Sequence, residues 1–254
     1  MYSKIKLYLK PAYFNILIFI GIILIISPII LSRNLSNLDE VWNYNFARNI
    51  ADGLVPYRDF NMLQTPLLPL IAGLFLKLFG NELIIMRILA ILLVSGIFFM
   101  IYQILKLLKV HTLYNLSFLF ILFLLLKEHI CIDYNFTILF LTLVLIYLDI
   151  KNYESTNLSL CYYFIVGCIC GSCILLKQST GAFISIASIL YPLFLLKGKL
   201  DFKNYLKISF IKILGILLSI TLLIIYLVCN HALADFIDYT ILGIKTFTNS
   251  IPYT

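Results

Sequence analysis

Two adjacent acids, Asp39-Glu40, and an arginine-bearing turn, Tyr57-Arg58-Asp59-Phe60, stand in a polar segment of an otherwise oily chain. A carboxylate can take a proton from a hydroxyl, and cationic side chains can stabilise a departing phosphate. Acids and arginines together are therefore the parts of a group-transfer site. Arg87, Asp133 (in Cys131-Ile132-Asp133) and Lys177 extend the set, each at the edge of an apolar run. Ionisable groups beside lipid are costly to hold, which singles out those that persist there. A plainer reading stands beside each. First-turn acids complement a helix dipole without catalysis. Tyr57-Arg58-Asp59 can be a self-satisfied turn, and His129 can pair with Asp133 four residues on. His111 and His231 stand alone.

The elements that must position these residues are membrane helices. The 254 residues are 62% apolar and only 12% charged, with mean hydropathy +1.03. A soluble domain carries roughly 25% charged residues. Apolar runs approach the roughly 20 residues that cross ~30 Å of hydrocarbon. The short alternating segments of a barrel are absent. The net charge of +7 comes from lysines dispersed at the ends of the runs, which excludes a phosphate-tracking groove and a nucleic-acid partner. Expected spans are Ala12–Leu31, Leu83–Ile104, Leu113–Leu126, Phe136–Leu148, Leu158–Leu176, Gly181–Leu196 and Ile208–Cys229.

One further run, Pro66–Phe79, decides the topology. If it lies along the surface, Lys4, Lys6, Lys10, Lys106, Lys109, Lys151, Lys197, Lys199, Lys203 and Lys207 share the inner side, and most acids face out. If it crosses, the lysine-rich loop at 197–207 faces outward, against the positive-inside rule. The sequence thus predicts an all-α integral membrane protein with about seven transmembrane helices, N-terminus cytoplasmic and multi-pass in the cell membrane. Amphipathic juxtamembrane helices fill a first outer loop over 32–82, within a single domain over 1–254. Lys212, about a turn into the last span, is expected to snorkel to the inner surface. The apolar run after Lys10 is long for a signal peptide and lacks a cleavage site, so an uncleaved first span is expected. Cys168, Cys170 and Cys173 read as small apolar residues beside Gly167-x-x-x-Gly171, a close-packing pattern.

Within the first loop, Ser36 or Asn37 is placed to cap a helix opening at Asp39-Glu40. Leu38, Val41, Trp42, Phe46 and Ile50 fall on one face, and Gly53 is placed to end it. That helix would rest on the bilayer surface, with Trp42 and Tyr44 at headgroup depth. With this topology Asp39, Glu40, Arg58, Arg87, Asp133 and Lys177 share one membrane face.

The order of these features resembles a known superfamily: Asp-Glu opening an amphipathic helix, then Pro56-Tyr57-Arg58-Asp59-Phe60, Thr65-Pro66-Leu67, Leu78-Phe79-Gly80, Arg87, and Leu175-Leu176-Lys177-Gln178-Ser179-Thr180-Gly181. It is similar to the N-terminal half of the GT-C polytopic glycosyltransferases, of the dolichyl-phosphate-mannose-protein mannosyltransferase and lipid A aminoarabinose transferase types. The resemblance implies transfer of a sugar from a polyprenyl-phosphate donor to an acceptor hydroxyl on the extracytoplasmic face, with inversion. It assigns Asp39 as general base, with Glu40 and Asp133 as companion acids. Arg58, Arg87 and Lys177 are assigned to the donor phosphate. It fixes no cofactor, while Asp133 leaves room for a divalent cation. The acceptor would be a lipid, a protein or a cell-surface glycan. Thr65 stands where some relatives carry a basic residue, which points to a different donor headgroup. Relatives are longer, so a second outer loop beginning at 230–254 would be truncated and a second chain could supply the missing spans. The alternatives are a non-catalytic subunit or inactive remnant of that lineage, and an unrelated transporter.

Overall fold

The computed structural model describes residues 11–34, 38–152, 159–195 and 201–243. Among them every regular element is helical: α1 (Pro11–Ser32), α2 (Leu38–Ala51), α3 (Leu67–Phe79), α4 (Leu83–Leu107), α5 (Thr112–Leu126), α6 (Tyr134–Lys151), α7 (Leu160–Leu176), α8 (Gln178–Leu195), α9 (Phe202–Cys229) and α10 (Leu233–Ile237), with a π-helical turn over Asp238–Leu242. Among the described residues four helices are long and apolar enough to cross a membrane, namely those over Tyr13–Ser32, Leu83–Leu107, Tyr134–Lys151 and Phe202–Cys229.

The expected count of seven spans is therefore corrected to four by length and composition. α5 and α7 have only 15 and 17 residues, and at 1.5 Å per residue they reach roughly 22–26 Å of the ~30 Å needed. α8 has 18 residues but opens on Gln178, Ser179 and Thr180 and carries Pro192. The disputed run, α3, has 13 residues.

Antiparallel packing of α1 on α4 is pinned at both ends. Lys106 Nζ donates to Asn15 Oδ1 at 2.9 Å, and Arg87 Nη1 donates to the Leu31 carbonyl at 3.2 Å. α7 and α9 run parallel through a glycine seam. A Cβ on Gly167 would strike the Lys212 carbonyl, one on Gly215 would strike the Phe164 carbonyl, and one on Gly171 would lie 2.7 Å from Ser219 Cβ. This is why glycines occupy these positions: backbones approach closely and leave no room for a side chain. Cys170 and Cys173 are buried there, and the cysteines are free thiols.

α2 and α3 form a hairpin-like pair beside the bundle, with Gly73 of α3 against Ala47 and Ile50 of α2. α2 ends in a left-handed cap at Gly53 (φ 95°), whose N–H donates to Ile50 O while Leu54 N–H donates to Asn49 O. This is the stop that glycine favours. The predicted cap at Ser36 or Asn37 lies outside the described residues, as do Lys4, Lys6, Lys10, Lys197, Lys199 and the chain from 244 on.

Lys212 corrects a second expectation. It does not snorkel; it is 3% exposed, and its Nζ donates to Ser188 O at 2.6 Å and Ser188 Oγ at 3.2 Å. α8 supplies a carbonyl and a hydroxyl within reach, which replaces the water the ammonium would otherwise seek.

Candidate functional site

α2 decides the site because it turns its polar side inward. Glu40, Asn43 and Ala47 are buried, whereas Leu38, Val41 and Trp42 are exposed, Trp42 by 53%. The helix therefore leaves Leu38, Val41 and Trp42 to the surroundings, packs Phe46 on Phe60 and Ile50 on Gly73, and turns its first-turn acid Glu40 to the bundle. Glu40 (3% exposed) meets Arg87 (8% exposed) in the first turn and a half of α4, with Arg87 Nε 3.0 Å from Glu40 Oε1. The other oxygen, Glu40 Oε2, and Arg87 Nη2 are buried without a hydrogen-bond partner. The pair is thus long-range, dry and only half satisfied.

Asp133 comes from the loop between α5 and α6 and caps α6. Its Oδ1 accepts from Phe136 N at 2.6 Å and its Oδ2 from Asn135 Nδ2 at 3.2 Å. Asn135 Oδ1 in turn accepts from Lys177 Nζ at 2.9 Å, and that ammonium lies over the Tyr134 ring at 5.3 Å. Asp133, Asn135 and Lys177 therefore form one polar chain joining α6 to the end of α7. Burial pushes the Asp133 carboxyl above the usual carboxylate range, against the hydrogen bonds from Phe136 and Asn135, and the nearby Asp39 charge adds to the rise. The Cys131 thiol is pushed up to about 12, by burial first and then by the charge of Asp133. Asp133 caps its helix instead of pairing with His129, whose own N–H donates to Leu126 O.

Sequence reasoning missed Arg33. It leaves the end of α1 and donates through Nη1 to Ile130 O at 2.6 Å and through Nη2 to the Glu128 carbonyl. It thereby clips the loop carrying Cys131 and Asp133 to the chain just ahead of α2. No motif marks it; the only signal is an arginine directly after an apolar run.

No family model, curated protein or solved structure matches this chain. What the site can do must therefore be argued from its own residues.

Of the six residues singled out from sequence, Asp39, Glu40, Arg87, Asp133 and Lys177 collect at one end of the bundle. The charges of Asp39 and Glu40 are both felt at Cys131, beside Asp133. Arg58 is held elsewhere on that end. It donates from Nε and Nη2 to Asp59 Oδ1 and Oδ2 at 2.9 and 2.8 Å, and from Nη1 to the Asn230 carbonyl at 3.2 Å. Asp59 also accepts from Val55 N at 2.7 Å, and Tyr57 takes a positive φ of 72°. The turn docks through Tyr57, whose hydroxyl donates to Gln64 O and whose ring meets Phe236 edge-on. Burial raises the Tyr57 phenol, which stays protonated.

Chemically, the cluster offers a half-buried carboxylate at Asp39 and a desolvated one at Asp133. Arg33 and Lys177 are cations anchored by neutral oxygens, so their charges are not cancelled by a carboxylate in these contacts. Among the described residues no group of three or more His, Cys, Asp or Glu side chains is arranged to hold a metal ion.

Proposed function

We propose that the chain is a membrane glycosyltransferase, or the half of one that carries the acids. It takes a sugar from a polyprenyl-phosphate donor on the extracytoplasmic side. The supporting observation is the Asp133–Asn135–Lys177 chain set beside Asp39: a cation and two acids from three separate elements meet at one end of an apolar bundle. A lipid-borne anion enters from the hydrocarbon and presents its charged head at that level, where a lysine and arginines stabilise it.

In this reading Asp39 takes the proton from the acceptor hydroxyl as that oxygen attacks the anomeric carbon. The C–O bond to phosphate breaks with inversion, and the released phosphate carries the negative charge. Lys177 faces that charge, whereas Arg58 is neutralised by Asp59 in its own turn. Arg87 acts at one remove, by holding Glu40. Asp133 orients Lys177 through Asn135. The acceptor hydroxyl is weakly acidic, so its proton moves to the carboxylate as the bond to the anomeric carbon forms.

The test is sugar transfer from a labelled polyprenyl-phosphate donor in membranes holding this chain, compared with Asp39→Asn at matched expression. Loss of at least about 100-fold, the lower range for a general base, is expected. Equal transfer by both proteins removes Asp39 from the reaction. No transfer above empty membranes, with candidate partner chains supplied, leaves the non-catalytic subunit in place of the enzyme.

A further inference from the structure

At the opposite end of the bundle, a second polar cluster is left unused by the reading above. Lys212 of α9 is buried against Ser188 of α8, and Asp149 of α6 lies within electrostatic range of its ammonium. In front of Ser188, between α6 and α8, is a cleft of about 320 Å³ whose lining includes Thr142, Ile146, Asp149, Ile184, Ala187 and Ser188. That volume falls within the ~300–1,000 Å³ of ordinary ligand sites. Ile146 and Ala187 are exposed on its rim. α6 is one of the helices long and apolar enough to cross a membrane, and in a bilayer a cleft on the flank of such a helix would face hydrocarbon.

Charge selects the occupant. Lys212 and Asp149 are of opposite charge and within electrostatic range of each other, and further charge at this depth is expensive. A cationic head would draw Asp149 away from Lys212 and leave the ammonium uncompensated. An anionic head would meet the Asp149 carboxylate. A hydroxyl adds no charge and donates one hydrogen bond, which an ionised aspartate can accept. Apart from Thr142, Ser188 and Tyr191, the rest of the cleft is apolar and suits a hydrocarbon chain.

We propose that the cleft between α6 and α8 binds a neutral lipid with a hydroxyl head and a long hydrocarbon chain. The O–H donates to Asp149, and the chain lies over Ile146, Ile184 and Ala187. The site is separate from the Asp39 cluster and does not depend on its activity.

The test uses the full chain in phosphatidylcholine nanodiscs and three photoreactive probes of equal chain length: an alcohol, an amine and a headless alkane. The alcohol is expected to label α6 and α8 around the cleft about tenfold more than the alkane, as one hydrogen bond to a charged group predicts. Excess unlabelled long-chain alcohol should compete. Ala187→Trp, at an exposed rim position, should remove the labelling by filling the cleft. Equal labelling by the alkane would make this a plain lipid-facing groove and overturn the proposal. So would preference for the amine, no labelling, or unchanged labelling in Ala187→Trp.

Discussion

Two arginine–carboxylate pairs at the same end of this bundle are built in opposite ways. Arg58–Asp59 joins neighbours in sequence, is exposed, and uses two hydrogen bonds, with further partners in Val55 and Asn230. Arg87–Glu40 joins residues 47 apart, is buried, and shares a single hydrogen bond; Arg87 also donates to the Leu31 carbonyl, yet Glu40 Oε2 and Arg87 Nη2 are left without partners. The first is a turn that satisfies itself. The second brings α2, and Asp39 with it, against α4 at the cost of two dry, unfinished polar atoms. Local completeness marks the turn here, and long-range incompleteness marks the place where the first loop is held against α4.

The largest effect expected from breaking this contrast is at Arg87. Arg87→Ala strands the Glu40 carboxylate in a dry site, and loss of one partner of a buried pair typically costs about 3–5 kcal/mol. The paired replacement Glu40→Leu with Arg87→Met removes both charges, and most of that loss should return. Unfolding of the purified protein in detergent measures both. If the single and double variants are equally damaged, the pair is packing and not electrostatics. If Arg87→Ala is harmless, the buried pair does not hold α2.

The burial of Glu40 was not legible in the sequence, for a physical reason. Amphipathic periodicity names two faces of α2 without saying which one turns toward the protein. In a soluble chain the apolar face turns in; beside lipid, Leu38, Val41 and Trp42 can stay outside, and the polar face finds Arg87 instead. The same ambiguity hid the fate of Lys212, where length suggested snorkelling but Ser188 was close enough to bind it. Residues whose roles are local were readable: Gly53 as a helix stop, Gly167 and Gly171 as a close approach, Arg58–Asp59 as a turn. Asp133 and Lys177 were placed at one face by loop charge alone, yet Asn135, which connects them, carried no signal. The number of spans failed for a different reason. Apolar content fixes that a run is helical and oily, but short runs bounded by Lys127 and Lys177 do not reach the length of the hydrocarbon.

Arg33 offers a sharper and smaller test, because it too is an arginine on long-range partners, but its acceptors are neutral carbonyls. Arg33→Ala should release Glu128–Ile130 without stranding a buried charge. Hydrogen bonds to a charged group are worth about 1.5–3 kcal/mol, so amide exchange across 127–133 should rise about tenfold to a hundredfold. The α7–α9 seam should keep its protection. Exchange rising everywhere would make Arg33 a general stabiliser, and no rise at 127–133 would remove the clip. Because Asp133 sits in that loop, Arg33→Lys, which supplies one ammonium for a forked guanidinium, should restore the protection only in part.

The smallest effect belongs to the exposed pair, and pH reads it. Asp59 is held down to about 2 by the hydrogen bond from Arg58 and then by Val55 N, against an ordinary 3.8. A depressed acid contributes its stabilisation above its unfolded value and loses it as pH falls through the folded one. The docking of the 55–60 turn should therefore be constant above pH about 4 and weaken progressively toward about 2. Arg58→Ala moves the Asp59 midpoint upward, toward its ordinary value, and shortens that window. Amide exchange at Tyr57 and Asp59, whose N–H groups donate to Phe60 O and Val55 O, follows the change. An unchanged Asp59 midpoint in Arg58→Ala would mean that Val55 N alone holds the carboxylate. A shift large enough to unfold the bundle would erase the distinction between the two arginines, because the exposed pair would then be carrying the same weight as the buried one.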